Sequence, residues 1–237
     1  KNMKKSPLRK VSVKRAVSKV KTNRLVKLIK RISLKQSETK NSHSITENMQ
    51  LYHNVPYILT NQLYLAYGTG DDQSGTSSFS SRIGDEVIAR GVSYKFWFAN
   101  KLDRPNVMYK IIFYKYQSAT ATPLPANAPW YTQGTSNYMI RDIDTEKYKI
   151  LKVVKFNLQT SAQRITAADT FNGAEGHRAV SVWIPLKSMK LKYENNSTTP
   201  KFADIGFSVV AYDSYGTLST DNIASFAVNR KFYFKDP

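Results

Sequence analysis

The sequence predicts an all-β chain: an eight-stranded jelly-roll β-sandwich preceded by a basic, partly helical N-terminal arm. Three observations predict it. Apolar residues recur with a period of two through most of the chain after residue 50. Long connections rich in Ser, Thr, Gly, Asn and Pro separate these runs. Charge and aromatic content both change abruptly near one place. Residues 1–40 hold 15 Lys or Arg against the single acid Glu38, a net +14 of the chain's +19. Tyr52 is the first of 15 Tyr, 11 Phe and 3 Trp, and Gly68 is the first glycine. A segment so rich in cations and so poor in aromatics cannot bury a core of its own, whereas the remainder can. The expected division is a basic arm over 1–40, a linker over 41–50 and one jelly-roll domain over 51–237.

The arm carries a helical pattern. Leu25, Leu28, Ile29 and Ile32 fall at i, i+3, i+4 and i+7, one face of a helix over 24–34 with Asn23 as N-cap. Lys27, Lys30, Arg31 and Lys35 fall on the opposite side. A helix this short is marginal alone in water and needs a partner. Lys4, Lys5, Arg9, Lys10, Lys14, Arg15, Lys19, Lys21 and Arg24 recur among Ser and Val ahead of it, as in a flexible polycation. Three roles compete: phosphate neutralisation on nucleic acid, a solvated tail or nuclear-import signal, and a membrane-surface helix. Counterion release from so many uncompensated cations favours the first. The arm offers no Trp or Phe to a headgroup region, which counts against the third. Lys predominates over Arg, so the binding expected is tolerant of base sequence.

The body reads as strands in order. Tyr57 to Tyr67 is a weak one. Val92, Tyr94, Phe96 and Phe98 alternate with Ser93, Lys95, Trp97 and Ala99. Met108 to Tyr116 is apolar at successive positions, as in a strand covered on both faces. Tyr148, Ile150, Val154, Phe156 and Leu158 are expected to share one face. Val180, Val182, Ile184 and Leu186 share another, and the phase slips near Lys187 before Met189, Leu191 and Tyr193 continue it, which predicts a bulge. Ile205 to Tyr212 and Ala224 to Phe234 complete seven strands. A short eighth is expected within the loops.

Chemistry is sparse. No cysteine is present, which excludes disulfides, thiolate zinc sites and thiol catalysis. No apolar run approaches the length of a membrane span, so no membrane insertion is expected, and the basic start lacks the apolar stretch of a secretory signal. His43, His53 and His177 are far apart, and neither HExxH nor GxSxG occurs. The Gly68, Gly70 and Gly75 loop lacks the Gly-Lys-Ser/Thr of a phosphate cradle. Asp71, Asp72, Asp142 and Asp144 are the carboxylates available to a divalent cation, and solvated loop carboxylates are the simpler reading. Neither an enzyme nor a cofactor is expected. Trp97, Trp130, Tyr131, Tyr138 and Trp183 are able to stack on bases wherever they reach the surface; packing is the simpler role for each. Trp97 stands out, because it sits on the polar face of its strand.

Short segments then carry a resemblance. Ser81 to Val87 (Ser-Arg-Ile-Gly-Asp-Glu-Val) resembles the Arg-x-Gly-Asp-x-aliphatic segment ahead of an early strand in small icosahedral capsid proteins. Tyr148 to Lys152 resembles their Tyr-x-Ile/Val-Leu opening of a central strand. The ending Phe232 to Pro237 is similar to the last strand of circovirus capsid proteins. The chain thus resembles the single jelly-roll capsid proteins of circular, Rep-encoding single-stranded DNA viruses. It also resembles the satellite tobacco necrosis virus type, which packages RNA and has a helical arm. Circovirus arms are rich in Arg where this one is mostly Lys. The resemblance implies a shell of about 60 copies, single-stranded DNA or RNA as partner, a host receptor, and a virion location with the host nucleus as an assembly site. It also implies three arms meeting under a three-fold axis through Leu25, Leu28, Ile29 and Ile32. The other class open to this sequence is a non-viral all-β nucleic-acid-binding module with a basic tail.

Overall fold

A computed structural model describes residues 25–26, 28–29, 32, 39–67, 81–82, 84–118, 124–133, 136–159, 163–164, 171–172, 176–194, 197–213 and 217–236. Its strands are β1 (Thr39–Tyr52), β2 (Tyr57–Leu59), β3 (Ala66–Tyr67), β4 (Ser81–Arg82), β5 (Glu86–Asn100), β6 (Asn106–Tyr116), β7 (Lys149–Gln159), β8 (Gln163–Arg164), β9 (Phe171–Asn172), β10 (His177–Lys192), β11 (Asp204–Asp213) and β12 (Asn222–Lys235). Two four-stranded sheets face each other, in the orders β1-β12-β5-β10 and β2-β11-β6-β7. The short pairs β3-β4 and β8-β9 lie outside them.

The pairing is nested. β6 pairs with β7, β5 with β10, β2 with β11 and β1 with β12, all antiparallel. One long hairpin has been rolled so that its successive pairs alternate between sheets. That is the eight-stranded jelly roll the sequence predicts. Inward side chains of both sheets form one aromatic core. Tyr94, Phe96, Phe98, Phe113, Phe207 and Phe226 are buried there, with ring centroids 5.0–6.3 Å apart for the contacting pairs among them.

The two sheets differ in their outer faces. The β6–β7 connection folds back over the β2-β11-β6-β7 sheet. Trp130, Tyr138, Met139 and Ile143 pack there on Ile112, Tyr114, Tyr148 and Val210. β6 and β11 are therefore buried on both sides, which explains their unbroken apolar runs. Among the described residues no comparable layer covers the other sheet, and its strands alternate between buried and exposed.

Three expectations are corrected. Residues 41–50, read as linker, belong to β1, and the eighth strand is this long strand and not a short one among the loops. β1 is an edge strand with mostly exposed side chains, so it needs no apolar alternation. The β7 set does not share one face. A register shift opposite Phe113 and Tyr114 makes Leu151 an extra residue, so Ile150 joins the outer cluster while Val154, Phe156 and Leu158 face the main core. The bulge predicted near Lys187 is present: pairing shifts between Pro185 and Met189, and Lys187 and Ser188 take positive φ angles of 49° and 60°.

At one end of the sandwich the loop after β2 enters the core. Leu63 and Leu65 are fully buried there, so the backbone around them must find partners inside. The Gln62 N–H donates to the Ile205 carbonyl at 3.1 Å, and the Leu63 N–H to Asp204 Oδ1 at 2.9 Å. Arg230 Nη1 donates to the Gln62 carbonyl at 2.6 Å, and Tyr193 Oη to the Leu63 carbonyl at 2.7 Å. Arg230 Nη2 reaches Ser42 Oγ on β1 at 3.1 Å. Burial pushes the Asp204 carboxyl up to about 6, against the pull of its backbone donors and of Arg230. Burial likewise raises the Tyr94 and Tyr193 phenols beside it.

Removing the guanidinium leaves a buried carbonyl and a buried carboxylate without their cation. Arg230→Met is expected to cost about 3–5 kcal/mol in urea unfolding. Asp204 binds more protons folded than unfolded between its ordinary value of 3.8 and about 6. The stability that protonated Asp204 contributes is complete below the lower value and lost as pH rises through the upper one. The difference corresponds to about 3 kcal/mol. Asp204→Asn keeps the acceptor for Leu63 and Ile205 and is expected to flatten the stability profile between pH 4 and 6. An unchanged slope in that variant would assign the pH dependence to other groups.

Candidate nucleic-acid interface

The arm cations singled out by the sequence, Lys4, Lys5, Arg9, Lys10, Lys14, Arg15, Lys19, Lys21, Arg24, Lys27, Lys30, Arg31 and Lys35, lie outside the described residues. Leu25, Val26, Leu28, Ile29 and Ile32 are described. All five have helical backbone and exposed side chains, in keeping with the periodicity. Asp71, Asp72 and the Gly68–Gly75 loop also lie outside the described residues.

The structure separates the aromatic candidates. Trp130 is 2% exposed and meets Tyr138 edge to face at 5.1 Å beneath the β6–β7 connection. These two are packing residues. Trp97 and Trp183 are 49% and 46% exposed on the uncovered face of the β1-β12-β5-β10 sheet.

Strand register places the residues of that face in rows running across the sheet. The first is Pro185, Gly91, Tyr233 and Asn41; the second is Trp183, Ser93, Lys231 and His43. The third is Ser181, Lys95, Asn229 and Ile45. The fourth holds Ala179, Trp97 and Ala227, and the fifth His177, Ala99, Ser225 and Gln50. These rows contain no Asp or Glu; Glu47 lies in the β1 bulge at their edge.

Each indole is held by a specific device. A Cβ on Gly91 would lie 2.3 Å from Trp183 Cζ2 and 2.6 Å from Cη2. The ring edge therefore passes over the β5 backbone where only glycine leaves room, with the Tyr233 ring 5.7 Å away. Trp97 stands between Ala179 and Ala227, whose small side chains leave it proud of the sheet. The His177 imidazole stacks against it at 4.6 Å and 15°. Alternation alone pointed to Trp97. The role of Gly91 depends on cross-strand register and was not readable from the sequence.

Other features have structural occupations. Lys110 is buried, and its Nζ donates to the Tyr138 and Met139 carbonyls at 3.0 and 3.1 Å, pinning the covering loop to β6. Burial, and then the neighbouring Lys155, lower its pKa to about 8 against the pull of Asp142. A cleft of about 750 Å³ opens beside it, lined by Tyr131, Arg141, Asp142 and Lys155 among others. Asp144 is buried and not a solvated loop carboxylate: its Oδ1 accepts from the Glu146 and Lys147 N–H groups. Among the described residues no three His, Asp or Glu are grouped as a metal site. Arg82, of the Arg-x-Gly-Asp segment, is wholly buried between the Tyr67 and Tyr193 rings. It donates to the Gly84, Glu194 and Ser197 carbonyls and to Asp85 Oδ1. His53 is also buried. Its Nδ1 accepts from the Asp213 N–H, and burial lowers its pKa.

No protein-family profile and no curated protein matches the chain. Among solved structures, the chain is similar to an empty Turnip Yellow Mosaic Virus particle at 10% identity and TM-score 0.35, covering 85% of this chain and 82% of that one. It is similar to a KBV activated particle at 9% identity and TM-score 0.39, covering 81% and 68%. It is similar to a semi-empty virus-like particle of the Macrobrachium rosenbergii nodavirus at 10% identity and TM-score 0.33, covering 85% and 84%. The jelly-roll assignment rests on strand order and register, independently of these likenesses.

Gly91→Ala forces the added methyl into the Trp183 ring and against the Ile184 carbonyl, 2.8 Å away. Overpacking of this kind is expected to cost about 1–3 kcal/mol and to lift the indole off the sheet. Acrylamide quenching of tryptophan emission should rise in this variant, and no rise would mean that the ring is seated by other contacts.

Proposed function

We propose that this chain is a coat protein that assembles into a small icosahedral shell and packages a single-stranded genome. The observation that carries this reading is a net +14 arm joined to the first strand of a nested eight-stranded jelly roll. The fold by itself also suits lectins and cupins. The arm favours packaging. A polycation next to a rigid β body suits neutralisation of a phosphate chain by many copies of one subunit. Sixty copies, the smallest icosahedral shell, would bring roughly 840 positive charges to the genome, each displacing a counterion. The reading is of the type the sequence resembles, the single jelly-roll capsid proteins of circular single-stranded DNA viruses. The satellite-virus type, with its helical arm, makes RNA the other cargo. The subunit's role here is structural, and its partners are other copies of itself, the genome and a host receptor.

The exposed side chains of Leu25, Leu28, Ile29 and Ile32 fit the same scheme. Three arms meeting at a three-fold axis would bury them together and turn Lys27, Lys30, Arg31 and Lys35 outward to the genome.

Negative-stain electron microscopy with absorbance at 260 and 280 nm tests the main reading. Uniform shells whose nucleic acid survives external nuclease are expected. A small species that binds nucleic acid without forming shells across salt and pH would replace it with the all-β binding-module reading. Leu28→Asp with Ile29→Asp is expected to lower the yield of filled particles. Unchanged assembly and packaging would remove the helix bundle from the scheme.

A further inference from the structure

We infer that the open face of the β1-β12-β5-β10 sheet is a second nucleic-acid site, one that holds unpaired bases by stacking on Trp97 and Trp183. It extends the packaging reading from the arm to the body, but it does not require a shell.

The face has what base stacking needs. Trp183 packs the Cζ2–Cη2 edge of its indole over Gly91 and is 46% exposed. Trp97 is raised between two alanines and backed by the His177 ring. Both rings are braced by neighbouring groups of the sheet itself, which reduces the entropy lost on binding. Trp183 lies opposite Ser93, four residues from Trp97 along β5, so the two backbone positions are about 14 Å apart, and the Trp183 ring leans further from Trp97, over Gly91. Lys95 and Lys231 lie in the rows between Trp97 and Trp183 or beside Trp183, with exposed side chains that face the same way. They are placed to meet the phosphates of a strand whose bases cover the two rings.

Charge selects the occupant. The face carries Lys95, Lys231, His43 and His177 and, in its five rows, no carboxylate. A second copy packed symmetrically on it would bring the same lysines together. A polyanion meets opposite charge. Exposed indoles select a single strand over a duplex, because paired bases have no free ring face to offer. The two rows that hold the indoles contain no Asn, Gln or Arg, while Asn229, Asn41 and Gln50 lie one row away, so stacking and charge outweigh hydrogen-bonded base reading and the site is tolerant of sequence.

Tryptophan emission reports on this site directly, because the third tryptophan, Trp130, is buried under the other sheet. The full-length chain is titrated with a labelled twelve-nucleotide oligothymidylate and with a duplex of equal length, reading emission and anisotropy. The single strand is expected to quench emission, and the duplex to bind without quenching. Trp97→Ala with Trp183→Ala should weaken binding of the single strand ten- to a hundredfold, while Trp97→Tyr with Trp183→Tyr should retain most of it. Lys95→Gln with Lys231→Gln should lower the slope of log affinity against log salt by about 1.4. Unquenched emission together with unchanged affinity in the double alanine variant would mean that the arm alone holds the strand, and would overturn the inference. So would quenching that appears on particle formation by nuclease-treated protein free of nucleic acid, because a second copy would then cover the face. Light scattering on the same samples separates the two readings. Particles without stacking refute this site alone; stacking without particles refutes only the shell.

Discussion

The fold depends on solving one problem: a loop backbone has been pushed into an apolar core. Leu63 and Leu65 fill space between the sheets, and with them come the peptide groups of residues 62 and 63. An unpaired peptide group there would cost several kcal/mol. The partners come from three separate parts of the chain: Ile205 and Asp204 on β11, Tyr193 after β10, and Arg230 on β12. Arg230 also reaches β1 through Ser42. These strands belong to both sheets, so the same bonds that satisfy the loop fix how the sheets meet. The arrangement is expensive in charge. Asp204 is buried deeply enough to raise its carboxyl to about 6 in spite of two backbone donors. A purely apolar filling would be cheaper, but it would leave the loop backbone without partners.

Nested pairing explains which parts of this fold are legible in the sequence. Inner strands carry their own signal. β6 announced burial on both faces through an unbroken apolar run, and the covering loop that Trp130 and Tyr138 anchor supplies the second layer. The slip at Lys187 was visible because the strand is long enough to show two phases on either side. The outermost strand carries almost none. β1 pairs Thr39 with Lys235, at the far end of the chain, and Ser42 is buried chiefly to meet Arg230. A strand whose position is set by a distant partner and one polar contact reads locally as linker. β7 failed in another way. Even-numbered residues were expected on one face, but the extra residue at Leu151 moves Ile150 to the opposite face from Val154.

The candidate site was legible to the same degree and for the same reason. Alternation along β5 is a local property, and it put Trp97 outside the core. The difference between Trp130 and Trp183 is not local. Trp130 lies under a covering loop, which no local pattern shows, and Trp183 lies over a glycine on a neighbouring strand, which only the register reveals. Arg82 shows the converse. A charged residue in a short motif invites a binding role, yet its donors are spent on three carbonyls and a carboxylate that hold the chain around β4.

The two proposed nucleic-acid contacts are joined by geometry as well as by chemistry. The arm enters the fold at Thr39, and Asn41 is already on the open face, in the row of Tyr233, Gly91 and Pro185 that adjoins Trp183. A strand whose phosphates the arm holds is thus kept at the β1 edge of the sheet whose other edge, β10, carries Trp183. Tethering of this kind turns a weak second contact into an effectively intramolecular one. The division of labour follows from what each part is able to do. Lysines spread along the arm sequence gather phosphate by charge but fix no orientation. Rigid indoles on a twisted sheet do little at long range, yet they fix where the bases lie. On the proposed packaging reading a single strand needs both, because neutralisation alone leaves its path over the protein undefined.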